Sequence, residues 1–175
     1  QHFRFLIDFP EDLNLFELLF SQLGNDATLF ECVEYLRANP HLKQINSQPK
    51  LTVYTCAYNA EEYILRAMES VASQVGFGKM EYIIVDDHST DSTLEKVAGF
   101  CVSHQNAKWI RNPKNLGLAS SSNIALKGAR GKYILRLDAD DFFARKTSLS
   151  EILYTIERDK TDVVYPDNFY GSFEV

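Results

Sequence analysis

The sequence predicts an α/β fold, a mostly parallel, Rossmann-like sheet flanked by helices, and three observations support this prediction. From residue 51 onward, strand-like and helix-like segments alternate at intervals of roughly 25–30 residues, as in successive βαβ units. The strand-like runs are almost continuously apolar, as expected when helices cover both faces of a sheet. Apolar residues make up 45% of the 175-residue chain and aromatic residues 13%, so the chain can bury a sizeable core.

Five strands and four helices follow from the local pattern. In the first helix, Ile64, Met68 and Val71 share one face. Asn59 and Asp91 are of the residue types that cap helices, and we predict that they cap the first and second helices. The predicted strands are residues 51–59, 81–87, 107–112, 132–138 and 161–166. The predicted helices are residues 61–74, the segment around Leu94–Cys101, the segment around Leu118–Ala129, and residues 148–158.

The amino-terminal part of the chain has a different, helical pattern. One helix is predicted over residues 11–23, and a second begins at Thr28–Glu31, whose residue types form a capping box. Because the chain begins with Gln1 and ends just after a predicted strand, we expect it to be a truncated piece of a longer protein. The predicted organisation is a helical extension over 1–46, a linker over 47–50, and an α/β domain over 51–175 that is incomplete at its carboxyl end.

Composition excludes several functional classes. The net charge of -6 argues against a nucleic-acid-binding protein, which would present a basic face. Cys32, Cys56 and Cys101 form no CxxC pair, so we interpret them as reduced thiols of a cytoplasmic protein. The sequence has neither a secretory signal nor an apolar run of the ~18–20 residues that a membrane-spanning helix needs.

Polar residues cluster where the predicted strands end. Ligands of such sheets bind beyond the carboxyl ends of the strands, so these residues are the candidates for a site. One of the adjacent pair Asp86 and Asp87 is expected to cap the following helix or close a turn. Two adjacent carboxylates exceed what a turn requires, which makes Asp87 a candidate for function. The candidate residues are Tyr58 after the first strand, Asp87 after the second, Lys114 after the third, and Asp138, Asp140 and Asp141 after the fourth.

Three carboxylates within the stretch "RLDADDFF" repel one another unless a cation lies between them. A helix-capping cluster is the alternative, but only one side chain can accept from the helix amides. A hard divalent cation, Mn²⁺ or Mg²⁺, takes oxygen ligands and keeps waters that phosphates can replace. The sequence contains neither GxGxxG nor GxxxxGK[ST], so a diphosphate would rely on this metal and on Lys114, for which an ordinary surface lysine is the alternative. Tyr58 offers an aromatic face to a base.

Four motifs, in order, resemble the nucleotide-sugar half of a family 2 glycosyltransferase with the GT-A fold, over about residues 50–167. They lie in the stretches "TVYTCAYNAEEYILRAMESVASQ", "EYIIVDDHSTDST" and "NPKNLGLASSSNIALKGARGKYILRLDADD". The resemblance implies that Tyr58 stacks on a pyrimidine and that Asp87 accepts the N3–H of uracil or thymine. It also implies that Asp138 and Asp140 form a DxD motif that contacts the ribose and the metal, with Asp141 beside them.

The same resemblance implies a reaction. A sugar would pass with inversion from a nucleoside-diphosphate donor, UDP- or dTDP-sugar favoured, to a saccharide or other hydroxyl acceptor in polysaccharide or glycan biosynthesis. The catalytic base is expected beyond Val175, so the catalytic residue is unknown and this chain alone is expected to bind the donor without transferring it. The alternative is a non-catalytic nucleotide-binding fragment or scaffold of a larger bifunctional protein. Association of the parent with a membrane surface is compatible with this pathway.

Residues 1–46 resemble a second family. The stretches "RFLIDFPEDLNLFELLF" and "FECVEYLRANPHLKQIN" are similar to the carboxyl-terminal tail of CMP-sugar cytidylyltransferases. This similarity implies a parent protein that fuses a sugar-activating module to a transferase.

A phospho-receiver domain is disfavoured because the first strand ends in "CAYN" instead of an acidic pair.

Overall fold

The computed structural model describes residues 10–39 and 49–166, with side chains from Phe16 onward in the first range. The chain divides into two compact units, Gln1–Gln48 and Pro49–Val175. Most of the predicted linker lies outside the described residues. Within the described ranges, no helix has the length and hydrophobicity needed to span a bilayer.

The first unit contains two helices, α1 (Pro10–Leu23) and α2 (Leu29–Ala38). The predicted capping box is confirmed. The Thr28 hydroxyl accepts from Glu31 N at 3.3 Å, and the Glu31 carboxylate accepts from Thr28 N at 2.8 Å. Leu19, Cys32 and Leu36 pack together as a small core for this unit.

The second unit is a four-stranded parallel sheet in the order β3-β2-β1-β4. Because β2 and β4 lie on opposite sides of β1, the strand order reverses at β1, and such reversals open a crevice at the carboxyl ends. The strands are β1 (Leu51–Ala57), β2 (Glu81–Asp86), β3 (Ala107–Arg111) and β4 (Tyr133–Arg136). The helices are α3 (Ile64–Ala72), α4 (Thr93–Ser103), α5 (Leu118–Gly128) and α6 (Ser148–Asp159), with a short 3₁₀ turn at Phe77–Lys79.

Helices cover both faces of the sheet, as the apolar strands predict. On one face, Val53 and Ile84 pack with the predicted apolar side of α3, including Met68, and with α4 and α6. On the other face, Ile83 packs with Ala125 of α5. The central strands β1 and β2 are therefore buried almost throughout.

Two sequence predictions about local structure are wrong. Residues 161–166 form no strand, because the apolar side chains that suggested one, Val163 and Tyr165, are 59% and 89% exposed. Asn59 does not cap α3, which begins after Tyr63 without a side-chain cap, because its carboxamide instead accepts from Thr90 N. Asp91 precedes the cap residue of α4, although its carboxylate accepts from the first helical amide, as a capping side chain does.

A buried ionic cluster lies at the amino ends of the strands. The carboxylate of Glu81, 2% exposed, accepts from Lys108 Nζ at 2.9 Å, from Arg130 Nε and N at 2.9 Å each, and from Thr52 Oγ1 at 2.8 Å. Burial acts to raise the pKa of Glu81, but these donors outweigh burial and lower it to about 2. Beside it, Gly131 has no room for a side chain, because a Cβ there would lie 2.4 Å from Thr52 N.

Candidate functional site

Side chains connect the loops that follow β1 and β2. The Asn59 carboxamide oxygen accepts from Thr90 N at 2.9 Å, and the Ser89 hydroxyl accepts from Asn59 N at 3.0 Å. Asn59 and His88 both have positive φ, at 49° and 66°. These contacts fix the edge of the sheet around Tyr58, whose side chain is 50% exposed. The structure thus leaves an aromatic ring accessible at the end of the central strand.

Asp87 is buried, at 4% exposure, and its carboxylate holds the loop after β3. Oδ1 accepts from Asn112 Nδ2 at 2.6 Å and from Leu116 N at 2.8 Å, and Oδ2 accepts from Gly117 N at 2.8 Å. Burial acts to raise the pKa of Asp87, but these hydrogen bonds outweigh burial and lower it. Asp87 is therefore ionised at neutral pH and fixes the backbone of residues 112–117.

The protein itself uses most of the acceptor capacity of Asp87. A carboxylate offers about four acceptor positions, and three N–H groups occupy three of them. The Ser121 hydroxyl also acts on this carboxylate and helps to lower its pKa, so donors of the protein surround it. Asn112, 2% exposed, also donates to the Ser121 hydroxyl at 2.8 Å, which fixes its own orientation. Asn112 was not among the predicted site residues, although its place at the end of the third predicted strand was a usable signal.

Asp86 is the member of the acidic pair that closes the turn after β2. It is fully buried, and its Oδ1 accepts from Ser89 N at 3.2 Å, which closes the turn after β2. Its Oδ2 lies 3.4 Å from Arg111 Nε and has no hydrogen-bond partner. Asp86 therefore shapes the loop without presenting a carboxylate to a ligand.

The acidic segment, residues 138–141, carries the crowded carboxylates. Arg136 binds Asp138 with two contacts, Nε to Oδ1 at 2.8 Å and Nη2 to Oδ2 at 3.1 Å. Asp140 and Asp141 are exposed, and their carboxylates form no hydrogen bond or salt bridge with any described residue. Burial, followed by the charges of Asp140 and Asp138, raises the pKa of Asp141. The predicted repulsion between these side chains is therefore present.

The three carboxylates do not form a ready-made metal site. Among the residues that the structure describes, no group of three or more His, Cys, Asp or Glu side chains is placed to hold a cation. Asp138 is paired with Arg136 through both of its carboxylate oxygens. Asp140 and Asp141 present unpaired oxygen donors, the chemistry that Mg²⁺ and Mn²⁺ take up with few protein ligands and several waters. The donor set therefore fits a hard cation at Asp140 and Asp141, with Asp138 held apart.

Cys56, near the end of β1, shows which candidate residues meet. Burial raises the pKa of its thiol, while the charges of Arg136, Asp87 and Asp138 also act on it. Asp87 follows β2 and Asp138 follows β4, the two strands that flank β1, so both lie at the edge of the sheet where the strand order reverses. Lys114 is exposed on the loop that Asp87 holds, and no hydrogen bond or salt bridge joins it to the described residues.

A surface depression of about 680 Å³ lies beside the loop after β2, away from these side chains. Arg111, Asp91 and Glu95 are among the residues that line it. None of the six predicted site residues lines it. Its mixed charge gives no preference for a phosphate or for a cation.

Known proteins resemble this chain in sequence. Residues 52–174 match the family model for Glycosyl transferase family 2. Chondroitin synthase of Escherichia coli is 40% identical over 94 residues, which cover 54% of this chain and 13% of that protein. Hyaluronan synthase of Pasteurella multocida is 37% identical over 120 residues, which cover 67% of this chain and 12% of that protein.

Solved structures resemble it in fold. The crystal structure of S. aureus TarS 1–349 in complex with UDP-GlcNAc matches with a TM-score of 0.60 and 32% identity, over 65% of this chain and 32% of that chain. The mannosyltransferase PcManGT of Pyrobaculum calidifontis matches in fold, with a TM-score of 0.58 at 22% identity, over 82% of this chain and 42% of that chain. The predicted GT-A fold is confirmed. The chain spans a third or less of the length of TarS 1–349 and the two synthases.

Proposed function

Since the chain belongs to glycosyl transferase family 2, we propose that residues 49–166 bind the nucleotide-sugar donor of a glycosyltransferase of polysaccharide biosynthesis. One observation carries this proposal. The ionised carboxylate of Asp87 is held rigidly by three N–H groups at the strand ends, near the exposed Tyr58. A rigid acceptor near an aromatic ring suits a base that offers an N–H, as uracil and thymine do at N3. UDP- or dTDP-sugars are therefore the favoured donors.

Each candidate side chain then has a role in donor binding. Tyr58 stacks on the pyrimidine while Asp87 accepts from its N3–H. Asp138, which lies on the other side of β1, accepts from the ribose hydroxyls. Lys114, on the loop that Asp87 fixes, approaches the diphosphate as a mobile positive charge.

A divalent cation fits the remaining charges. Asp140 and Asp141 would hold Mn²⁺ or Mg²⁺, and Asp138 would join them only after leaving Arg136. When bound, this cation supplies positive charge for the diphosphate that departs from the sugar. We further propose that the transfer inverts the anomeric carbon and that the acceptor is a saccharide hydroxyl. The group that takes the acceptor's proton is not assigned to any residue of this chain.

A second candidate is a nucleotide-binding module without catalysis. The pairing of Asp138 with Arg136 favours it, because this contact offsets the charge of one of the three crowded carboxylates without a cation. A module of this kind would bind UDP equally well with and without a divalent cation, whereas the transferase would bind it much better with one.

Replacing Asp140 with asparagine should separate these candidates. The wild type with saturating UDP and Mn²⁺ should unfold about 5 °C or more above the unliganded protein, since ligand at 100 times its Kd adds about 2.7 kcal/mol. Asp140→Asn should lose the part of this shift that depends on Mn²⁺, because a neutral amide is a poor ligand for a hard cation. Differential scanning fluorimetry measures both shifts.

Two controls sharpen this experiment. Asp162→Asn changes an exposed aspartate after α6 and should leave the shift intact. CDP should stabilise less than UDP, because cytosine has no N3–H for Asp87. An Asp140→Asn shift equal to that of the wild type would contradict the role of Asp140 at the metal.

We also propose that the amino-terminal extension, residues 1–46, is a separate module joined by the linker 47–50 and derived from the tail of a CMP-sugar cytidylyltransferase. Its small core of Leu19, Cys32 and Leu36 supports this proposal. A cytoplasmic location is proposed because all three cysteines of the chain are free thiols.

A further inference from the structure

Helix α3 presents a polar stripe, Arg66, Ser70 and Gln74, to the segment that follows β4. The three residues are spaced four apart, so Arg66 and Ser70 share one helix face and Gln74 continues it just past the helix end. The apolar side of α3 packs on the sheet, and its polar side contacts this segment.

The first half of the stripe holds the acidic segment directly. Arg66 Nη2 donates to the backbone oxygen of Asp140 at 3.0 Å, and its guanidinium carbon lies 4.5 Å from the centre of the Phe142 ring. The Ser70 hydroxyl accepts from Phe143 N at 3.1 Å. Arg66 thus contacts the acidic segment at the main chain of Asp140 and also contacts the ring of Phe142, which follows the segment.

The second half of the stripe holds the chain further on. Gln74, 4% exposed, donates from Nε2 to Arg145 O at 2.8 Å, and its Oε1 accepts from Leu149 N at 3.1 Å. The next residue, Val75, donates its amide to Lys146 O at 2.8 Å. Because residues 137–147 lie in neither strand nor helix, these contacts replace the regular hydrogen bonds that would otherwise fix the segment.

We infer that Arg66 is a positioning residue that sets the place of the Asp140 carboxylate, and through it the place of the divalent cation. The inference rests on the proposed function. Arg66 contacts the carbonyl of Asp140 and leaves the carboxylate free, so it orients the ligand without competing for it. A guanidinium can donate to a carbonyl and stack on a ring at the same time, which an ammonium cannot do in one fixed geometry.

Three variants test this inference. Arg66→Met removes the hydrogen bond and the charge, Arg66→Lys keeps only the charge, and Ser70→Ala removes the acceptor of Phe143 N. Arg158→Met is the matched control, because Arg158 also lies over a ring, that of Tyr154 at 5.3 Å, but on α6. Calorimetric titration with Mn²⁺ in the presence of UDP measures metal affinity, and titration with UDP in EDTA measures the base and ribose contacts alone.

We expect Arg66→Met to weaken Mn²⁺ binding about tenfold and to leave UDP binding in EDTA unchanged. Arg66→Lys and Ser70→Ala should weaken Mn²⁺ binding less, and Arg158→Met not at all. A general loss of structure would lower both affinities together, so the split between them is the signature of positioning. Wild-type Mn²⁺ affinity in a folded Arg66→Met protein would overturn the inference.

A measurement without ligands keeps this inference separate from the proposed function. Hydrogen–deuterium exchange at Phe143 N should be faster in Arg66→Met and Ser70→Ala than in the wild type, since both variants loosen its contact with α3. Unchanged exchange in Arg66→Met would overturn the inference whatever the protein binds. A wild type that binds neither UDP nor Mn²⁺ would overturn the proposed function, and the metal-positioning role of Arg66 with it.

Discussion

Replacing Asp87 with alanine should lower the free energy of unfolding by about 3 kcal/mol or more and abolish uridine-nucleotide binding. The change removes the acceptor of Asn112 Nδ2, Leu116 N and Gly117 N in a buried place, and each donor left unpaired there costs about 1–3 kcal/mol. The loop of residues 112–117, which carries Lys114, would lose its anchor. Urea denaturation measures the stability, and fluorimetry with UDP measures binding.

Asp87→Asn separates the two roles of this residue. The carboxamide oxygen can still accept from some of these donors, so we expect a smaller loss of stability than in Asp87→Ala. Some stability is still lost, because the NH₂ group faces an N–H donor where the carboxylate presented an acceptor. The preference for UDP over CDP should disappear, because an amide can be turned to serve either base. An Asp87→Ala protein within 1 kcal/mol of the wild type would show that the loop does not depend on this carboxylate.

Lowering the pH should reveal that the stability of the wild type also depends on the ionised Asp87 carboxylate. The folded-state pKa of Asp87 is lowered, so its contribution to stability is present above the ordinary pKa of 3.8 and is lost as the pH falls through the folded value.

Replacing Glu81 with alanine should cost about 2–6 kcal/mol, because two donors lose their acceptor and each buried donor left unpaired costs about 1–3 kcal/mol. The effect comes chiefly from the donors that lose their acceptor, Thr52 Oγ1 and Arg130 N, since Lys108 and the Arg130 side chain are 44% and 64% exposed and can turn to water. Equilibrium denaturation at pH 7 measures this loss. Glu151→Ala, which breaks an exposed contact with Arg145, should cost under about 1 kcal/mol.

The pH dependence of stability tests whether the charge of Glu81 is the cause of this stabilisation. Its pKa falls from an ordinary 4.5 to about 2 on folding, so its contribution is complete above pH 4.5 and declines as the pH falls toward 2. At about 1.4 kcal/mol per pKa unit, the wild type should lose at most about 3 kcal/mol through this group. Glu81→Gln should show a flatter profile across that window. Parallel profiles for the two proteins would contradict the assignment.

Much of the sheet was predictable because its central strands are buried on both faces. Strands β1 and β2 have no polar alternation, and the helix between them shows its apolar face in Ile64, Met68 and Val71. The fifth strand failed for the opposite reason, since Val163 and Tyr165 are exposed and no strand of the described residues pairs with them. A short apolar run forms a strand only when another strand lies beside it.

The position of the site was predictable, but its internal contacts were not. Parallel topology alone places Tyr58, Asp87 and Asp138 at one edge. The partners of these residues come from distant parts of the chain, as when Asn112 meets Asp87 across 25 residues and Arg66 meets Asp140 across 74. No local pattern encodes such pairs. The Arg136–Asp138 contact is short in sequence, yet an arginine before an aspartate does not by itself predict pairing.

The two ends of the sheet contribute differently to the protein. The close packing at Gly131 and the ionic cluster around Glu81 lie at the amino ends of the strands, at the other end of the sheet from the acidic segment. Substitutions in the acidic segment therefore leave this packing and this cluster intact. A library randomised over residues 138–142 should consist mainly of folded proteins, so this chain offers a robust starting point for engineering altered nucleotide or cation preference.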